Sequence, residues 1–407
     1  MSVDSFADAR LLSQPSYLKF IVSRVLSSLS FQGVAIALGW LVYDRTHNAF
    51  DLGYIGLCQF LPMVVLTFVV GHVADRLDRR RIGFVCQLID AAIVAFIGVG
   101  QLMGWLTVPL IFGSVVVLGA AQAFERPTMA ALLPAIVPGA VLQRAIATST
   151  SFQQAAFVLG PAMGGLLYGV GAPVPFIVAA VLFAVGSLSV IAIERLAPIE
   201  RREPVTLASV FAGVAFIGRR PVMLGTISLD LFAVLLGGAT ALLPIYARDI
   251  LHAGPWSLGL LRASPAAGAV MMSLVLANRP LSRGVGRTML AAVAIFGVGT
   301  LVFAISTNIV LSVAALFVLG AADTVSVVVR SSLVQLLTPD SMRGRVNAVN
   351  SLFIGTSNQL GEFESGIVAG LIGAVPACIV GGLGTLVVVA LWIKLFPALP
   401  KVETLNG

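Results

Sequence analysis

Charge is what this sequence has least of. Asp, Glu, Lys and Arg make up 11% of its 407 residues and hydrophobic residues 58%, against about 25% and about 45–50% in soluble domains. A water-soluble globule of this length could not cover its surface with so few charges. Cysteine is nearly absent too: Cys58, Cys86 and Cys378 lie far apart inside apolar runs, which excludes a disulfide framework or metal-ligand spacing and leaves buried free thiols. The three histidines, His47, His72 and His252, fall at helix ends and are incidental. No glycine-rich loop with a following lysine and Ser/Thr occurs, so ATP hydrolysis is excluded, and neither a cofactor nor a metal is expected. The first sixteen residues hold Asp4, Asp8 and Arg10 without an apolar core, so they are not a signal peptide and the first helix is expected to target the chain. What remains is an all-α polytopic membrane protein, whose solvent is mostly lipid.

Apolar runs of about 20 residues, the length that crosses the hydrocarbon layer, predict twelve transmembrane helices. They fall near 18–43, 52–73, 83–103, 107–125, 145–169 and 174–194, then 222–247, 257–278, 288–305, 309–335, 346–371 and 375–396. Asp51 and Ser257 stand where helix N-caps are expected. One set of loops collects arginines such as Arg79, Arg80, Arg81, Arg144, Arg201, Arg202, Arg283 and Arg343, while the opposite set holds only Arg45 and Arg248. By the positive-inside rule both termini are cytoplasmic. The same rule accounts for the net charge of +7 without invoking nucleic acid.

The chain repeats itself. Val117-Leu118-Gly119-Ala120-Ala121 recurs as Val318-Leu319-Gly320-Ala321-Ala322, and at the same offset Pro138, Arg144, Gly160, Gly165 and Gly169 match Pro339, Arg345, Gly361, Gly366 and Gly370. The polar stretch around Glu200-Arg201-Arg202-Glu203-Pro204 divides the halves. The expected organisation is a six-helix bundle over 1–194, a linker over 195–220 that is either plain or a short amphipathic helix on the inner leaflet, and a second bundle over 221–407. Two pseudo-symmetric bundles form a transporter architecture with its site near the midplane.

Between spans two and three runs Gly71-His72-Val73-Ala74-Asp75-Arg76-Leu77-Asp78-Arg79-Arg80-Arg81. Gly71 permits close helix approach, and an acid followed by arginines can either fix topology or latch a gate. Span five carries Gly160-Pro161-Ala162-Met163-Gly164-Gly165, in which proline removes a backbone donor and the glycines allow tight packing at a bend. The bland alternative is a kinked packing helix. The matching stretch in span eleven, Gly361-Glu362-Phe363-Glu364-Ser365-Gly366, has lost the proline and gained two acids.

These two motifs resemble the loop and glycine–proline signatures of the major facilitator superfamily and of its antiporters. Asp78 stands where the family has a second glycine, Ala156 where an upstream glycine is often seen, and Asn278 replaces the acid in the second half. Pro15 through Phe20, Arg126-Pro127, Ala131-Leu132-Leu133-Pro134, Thr338 through Asn347 and Asn350 through Gln359 resemble a bacterial secretion and efflux branch that includes the enterobactin exporter. The resemblance implies the major facilitator fold, no enzymatic activity, and export of a small organic molecule by alternating access with proton antiport. The cargo would be a siderophore-like metabolite or a hydrophobic drug. It also implies a monomer in the bacterial inner membrane, with Gly71, Asp75, Arg76, Arg79 and Arg80 forming the gate. A proton-coupled nutrient importer, a lipid flippase, and a membrane sensor or scaffold are the alternatives.

Ionisable groups inside spans cost about 2.5–3.5 kcal/mol on insertion scales and are functional by default. Asp230, Asp323, Glu362, Glu364 and Asp90 are the acids so placed, and Arg24 and Arg262 the deep cations. A carboxylate shielded from water takes up a proton more readily, so these acids are proton-coupling candidates, Glu362 first and Asp230 second. Glu362 and Glu364 stand roughly 200° apart on a helix, and only one should face a cavity unless the helix unwinds at Gly361. Asp323 is expected to pair with Arg330 or Arg24. Structural ion pairs are the competing explanation. Arg24, Gln32, Gln122, Gln153, Asn358 and Gln359 are expected to line the cavity.

Overall fold

The computed structural model describes residues 11, 13–194, 207–279, 281 and 283–404. Side chains over 67–76 and 207–210, and at 340, 341, 343, 344, 348, 351, 352 and 356, lie outside that description. The expected gate residues Gly71, Asp75 and Arg76 are therefore outside the described residues.

Every regular element among the described residues is helical. In chain order these are α1 (Pro15–Thr46), α2 (Ala49–Arg76), α3 (Arg79–Met103), α4 (Val108–Ile136), α5 (Gly139–Val170), α6 (Val174–Ile191), α7 (Leu207–Gly218), α8 (Pro221–Leu236), α9 (Pro255–Asn278), α10 (Val285–Ile305), α11 (Ile309–Leu336), α12 (Asp340–Ile372) and α13 (Ala374–Leu395). Between α8 and α9 lie a 3₁₀ turn, Ala239–Leu242, one α-turn, Leu243–Ile245, and a π-turn, Tyr246–Ile250. Local chemistry sets the boundaries. Asn308 caps α11 by accepting from the Val310 and Leu311 amides at 2.8 and 3.3 Å, and Gly104, at φ 78°, ends α3 in the left-handed conformation that glycine tolerates.

Ten segments are long and apolar enough to cross a membrane, one of them running from Pro221 to Ile250 through the turns after α8. α5 and α12, of 32 and 33 residues, are not among the ten. They are repeat counterparts, and they carry the polar runs Thr148-Ser149-Thr150-Ser151 and Asn358-Gln359. The chain is a multi-pass membrane protein.

The chain divides into two compact units, one of Met1–Arg45 with Cys58–Pro204, the other of Thr46–Leu57 with Val205–Gly407. The start of α2 thus groups with the second unit, where Gly53 lies against Gly366 of α12 so closely that a Cβ on Gly366 would sit 2.5 Å from the Gly53 Cα. The helical part of the segment between the halves, α7, also packs in the second unit. Its Ile217 is buried with Met223, Ile227, Val334, Val346 and Val349. In the first unit Tyr17, Phe20, Met129, Leu132 and Val190 form the core at one end of the helices.

The repeat is visible in the packing. Gly119 of α4 faces the Gln59 carbonyl of α2, and its counterpart Gly320 of α11 faces the Pro265 carbonyl of α9. Neither position has room for a side chain. The first unit adds a second such crossing: Gly160 and Gly164 of α5 seat against α1, where a Cβ on Gly160 would lie 2.6 Å from the Gln32 Cβ and one on Gly164 would strike the Gly33 carbonyl. α5 runs through Pro161 without interruption.

Candidate functional site

The span expected to run unbroken over 222–247 is broken. α8 stops at Leu236, and the Gly237 and Gly238 that follow lie against α10 and α12: a Cβ on Gly237 would meet the Phe296 ring, and one on Gly238 the Gly361 carbonyl, both at 2.5 Å. α12 itself stays helical through Gly361. The unwinding considered for Gly361 occurs instead on the helix that passes it. Discontinuous helices are how membrane proteins expose backbone polar groups to a cavity. Here the Thr240 carbonyl, in the 3₁₀ turn after the break, accepts from Arg262 at 3.1 Å.

The break opens onto a cavity of about 260 Å³ within the second unit. Its apolar wall includes Phe296, Leu316, Leu319 and Pro265; its polar wall includes Thr240, Asp323, Asn358 and Glu362. Glu362 is paired with Arg262 at 3.1 Å, both side chains about a quarter exposed. Glu364, two residues on, is absent from the cavity lining and stands 3.4 Å from the Ser365 hydroxyl. Of the other cavity residues read from the sequence, Asn358 lines it, while the Gln359 Oε1 is buried without a partner among the described residues.

Beneath the cavity lies a second void, of about 10 Å³, bounded by Asp230, Asp323 and Ser326. That is room for one water with polar partners. Asp230 and Arg330 form an ion pair whose side chains are only 6% and 4% exposed, and Ser326 Oγ stands 3.5 Å from Asp230 Oδ1. The expected pairing of Asp323 with Arg330 is corrected: the guanidinium contacts Asp230, and Asp323 makes no hydrogen bond or ion pair among the described residues. Asp323 is the one acid that borders both spaces.

In the first unit Arg24 Nη2 donates to Gln153 Oε1 at 3.1 Å, joining two of the residues expected near a cavity. Gln122 goes elsewhere. Its amide donates to Asp90 Oδ2 at 3.0 Å and to Glu125 Oε2 at 2.7 Å. Asp90, on a helix the resemblance places at the periphery, is fully buried. Glu125 was missed by sequence reasoning: span four was expected to end at 125, whereas α4 continues to Ile136 through Pro127 and Pro134 and encloses it. Glu125 is also met by Ser27 at 2.7 Å and Gln87 at 2.8 Å. The repeat carried a signal, since Gln122 and Glu125 match Asp323 and Ser326 at the constant offset.

At the loop between α2 and α3, Asp78 caps α3 by accepting from the Arg80 amide at 3.0 Å and binds the Arg80 guanidinium at 2.6 Å. Hydrogen bonds from Arg80 hold the Asp78 carboxyl below the usual carboxylate range. Arg80 also donates to the Ile193 carbonyl, and Arg79 to that of Ala131 at 3.1 Å. Both arginines thus tie the start of α3 to neighbours in the first unit.

The family model described as Major Facilitator Superfamily matches residues 20–355. Among curated proteins, macrolide efflux protein A of Streptococcus pyogenes is 27% identical over 260 residues, 59% of this chain and 61% of that protein. The chain therefore aligns with less than two thirds of that relative. The multidrug efflux pump Tap of Mycolicibacterium fortuitum is 25% identical over 86% of this chain and 89% of its own. Among solved structures, the nucleoside transporter NupG superposes with a TM-score of 0.70 at 14% identity, covering 94% of this chain and 99% of that one. A bacterial homologue of the iron transporter ferroportin gives 0.69 at 16%, covering 95% and 98%. At these identities the likeness is one of fold.

Proposed function

We propose, starting from the fact that this chain belongs to the major facilitator superfamily, that it is a secondary active exporter in which protons moving inward drive a small organic molecule out of the cytoplasm. The family is the starting point; transport itself, its direction, the coupling ion and the cargo are proposed. The observation that carries it is the position of Asp323, exposed to the cavity on one side and to the water-sized void against Asp230 and Arg330 on the other. A proton reaching Asp323 from the cavity would pass to Asp230 through one water seated in that void. Protonating Asp230 removes the charge that holds Arg330, and a buried pair broken in this way is strongly destabilised. The packing of α8 against α11 then has two discrete arrangements, as alternating access requires. Glu362 has a different task in this scheme. Its partner Arg262 bonds the carbonyl at the helix break, so the pair shapes the cavity.

The cavity wall combines Phe296 and leucines with Asn358, Asp323 and Glu362, which suits an amphipathic cargo. At about 260 Å³ it falls below the roughly 300–1,000 Å³ of drug-sized sites, so it seats one end of a larger molecule. The efflux pumps named above make macrolides and other hydrophobic drugs the first cargoes to test, with siderophore-like metabolites next. We place the protein in the bacterial inner membrane with cytoplasmic termini, acting as a monomer. The loop from Gly71 to Arg81 would serve as the cytoplasmic latch. Proteoliposomes loaded with a radiolabelled macrolide, a siderophore or a lipophilic dye test the reading. Cargo movement must follow an imposed pH gradient, and indifference to the gradient for every cargo would refute proton-driven export.

A further inference from the structure

The first unit holds a second group of buried acids that the reading above does not use. Asp90 of α3 and Glu125 of α4 are 0% and 4% exposed, and the two hydrogens of the Gln122 amide are divided between them. Two buried carboxylates joined by one neutral amide cannot both be ionised without a cation in contact. Among the described residues no Lys, Arg or His lies within ion-pair distance of either. The charged and titratable groups facing the pair are Arg24 on α1, Cys86 on α3 and Arg126 on α4. The Arg24 guanidinium bonds Gln153. That of Arg126 stacks over the Phe31 ring, 5.4 Å from its centroid, with Nε 3.4 Å from Gln122 Oε1. Cys86 is a buried free thiol.

The two acids are solvated differently. Glu125 accepts three hydrogen bonds, from Ser27, Gln87 and Gln122 at 2.7–2.8 Å; Asp90 accepts only the one from Gln122, and its Oδ1 is buried without a partner. Donors stabilise the charged form of a carboxyl, and their absence favours the neutral form. We propose that Asp90, Gln122 and Glu125 form a proton-binding site in the first unit, in which Asp90 carries a proton at neutral pH and Glu125 is the carboxylate that gains and loses one. The site suits a proton and not a sodium ion. Hard cations take oxygen ligands, whereas two of the three groups that meet the carboxylates, the Gln87 and Gln122 amides, present N–H to them and only Ser27 offers an oxygen.

Protonation has a mechanical consequence. A proton on Glu125 Oε2 makes that oxygen a poorer acceptor, which weakens the bond from the Gln122 amide. The link from α4 through Gln122 to Asp90 of α3 is then loosened. The site is separate from the Asp323 region in the second unit, and its assignment stands or falls without it.

Infrared difference spectroscopy of the full chain in lipid nanodiscs tests this, with potassium as the only salt cation. The parent must show the C=O stretch of a protonated carboxyl at neutral pH that Asp90→Asn removes and Glu125→Gln leaves. On acidification the parent must gain a further band that Glu125→Gln lacks; Glu125→Ala gives the same loss should the glutamine variant not fold. Asp90→Asn exchanges one neutral side chain for another, so it must fold with the parent's melting temperature. The proposal is overturned if Asp90→Asn leaves the neutral-pH band intact or fails to fold, if both Glu125 variants keep the acid-induced gain, or if replacing potassium by sodium abolishes that gain. Nothing in the measurement depends on cargo transport, so failure of the export reading would not disturb it.

Discussion

The two units bury their charges by opposite means. In the second unit a carboxylate meets a guanidinium, Asp230 with Arg330 and Glu362 with Arg262, and a cavity and a water-sized void border the acids. In the first unit the buried acids Asp90 and Glu125 meet amides and one hydroxyl, and Arg24 and Arg126 are spent on Gln153 and on an aromatic face. Repeat counterparts show where the divergence was made. Gln122 stands opposite Asp323, Glu125 opposite Ser326, and Met129 opposite Arg330. One helix face was retained and its charge redistributed.

That comparison is best broken where the expected effect is largest. Arg330→Gln strands Asp230, and removing one partner of a buried pair costs about 3–5 kcal/mol. The double variant with Asp230→Asn is expected to recover most of the loss, because no buried charge remains. Thermal unfolding in detergent checks both, and a double variant as unstable as the single one would show that the pair is not the source. Gln122→Leu in the first unit should cost less, about 1–3 kcal/mol for donors removed from buried acceptors, read in the same way. An equal loss at the two sites would erase the contrast drawn here. Gly164→Ala sets a cost of packing alone, since the added methyl group would strike the Gly33 carbonyl. Overpacking of this kind typically costs about 1–3 kcal/mol.

The smallest effect lies at the loop. Asp78→Ala removes the cap of α3, worth about 0.5–2 kcal/mol. Arg80 holds the Asp78 carboxyl below its usual range in the folded state, so its contribution is fully present above the unfolded value and is lost as pH falls through the folded one. The stability gap between parent and Asp78→Ala should therefore be flat at neutral pH and close only in strong acid. A gap that grows on acidification would contradict the capping geometry.

The helical architecture was legible in the sequence because lipid demands long apolar runs and internally satisfied backbones. Arg79 and Arg80 were visible as charges, but their bonds to the carbonyls of Ala131 and Ile193 were not, since these depend on α4 extending to Ile136 and on where α6 ends. Glu125 escaped notice for the same reason. In Phe124-Glu125-Arg126-Pro127 an acid, a base and a proline read as the edge of the membrane, and the helix continues past them. Asp323 and Glu362 were identifiable as intramembrane acids. Their partners could not be read, because Arg330 lies one hundred residues from Asp230, and Arg262 as far from Glu362. The break after α8 was encoded in Gly237-Gly238, but two glycines in an apolar run also describe ordinary helix packing.

Cargo flux in proteoliposomes, measured with and without an imposed pH gradient for the parent and for Asp323→Asn, decides whether protons drive this chain through Asp323. The gradient is expected to drive the parent. Asp323→Asn is expected to still exchange cargo down its own concentration gradient and to ignore the protons. An Asp323→Asn protein that follows the pH gradient as the parent does would contradict it.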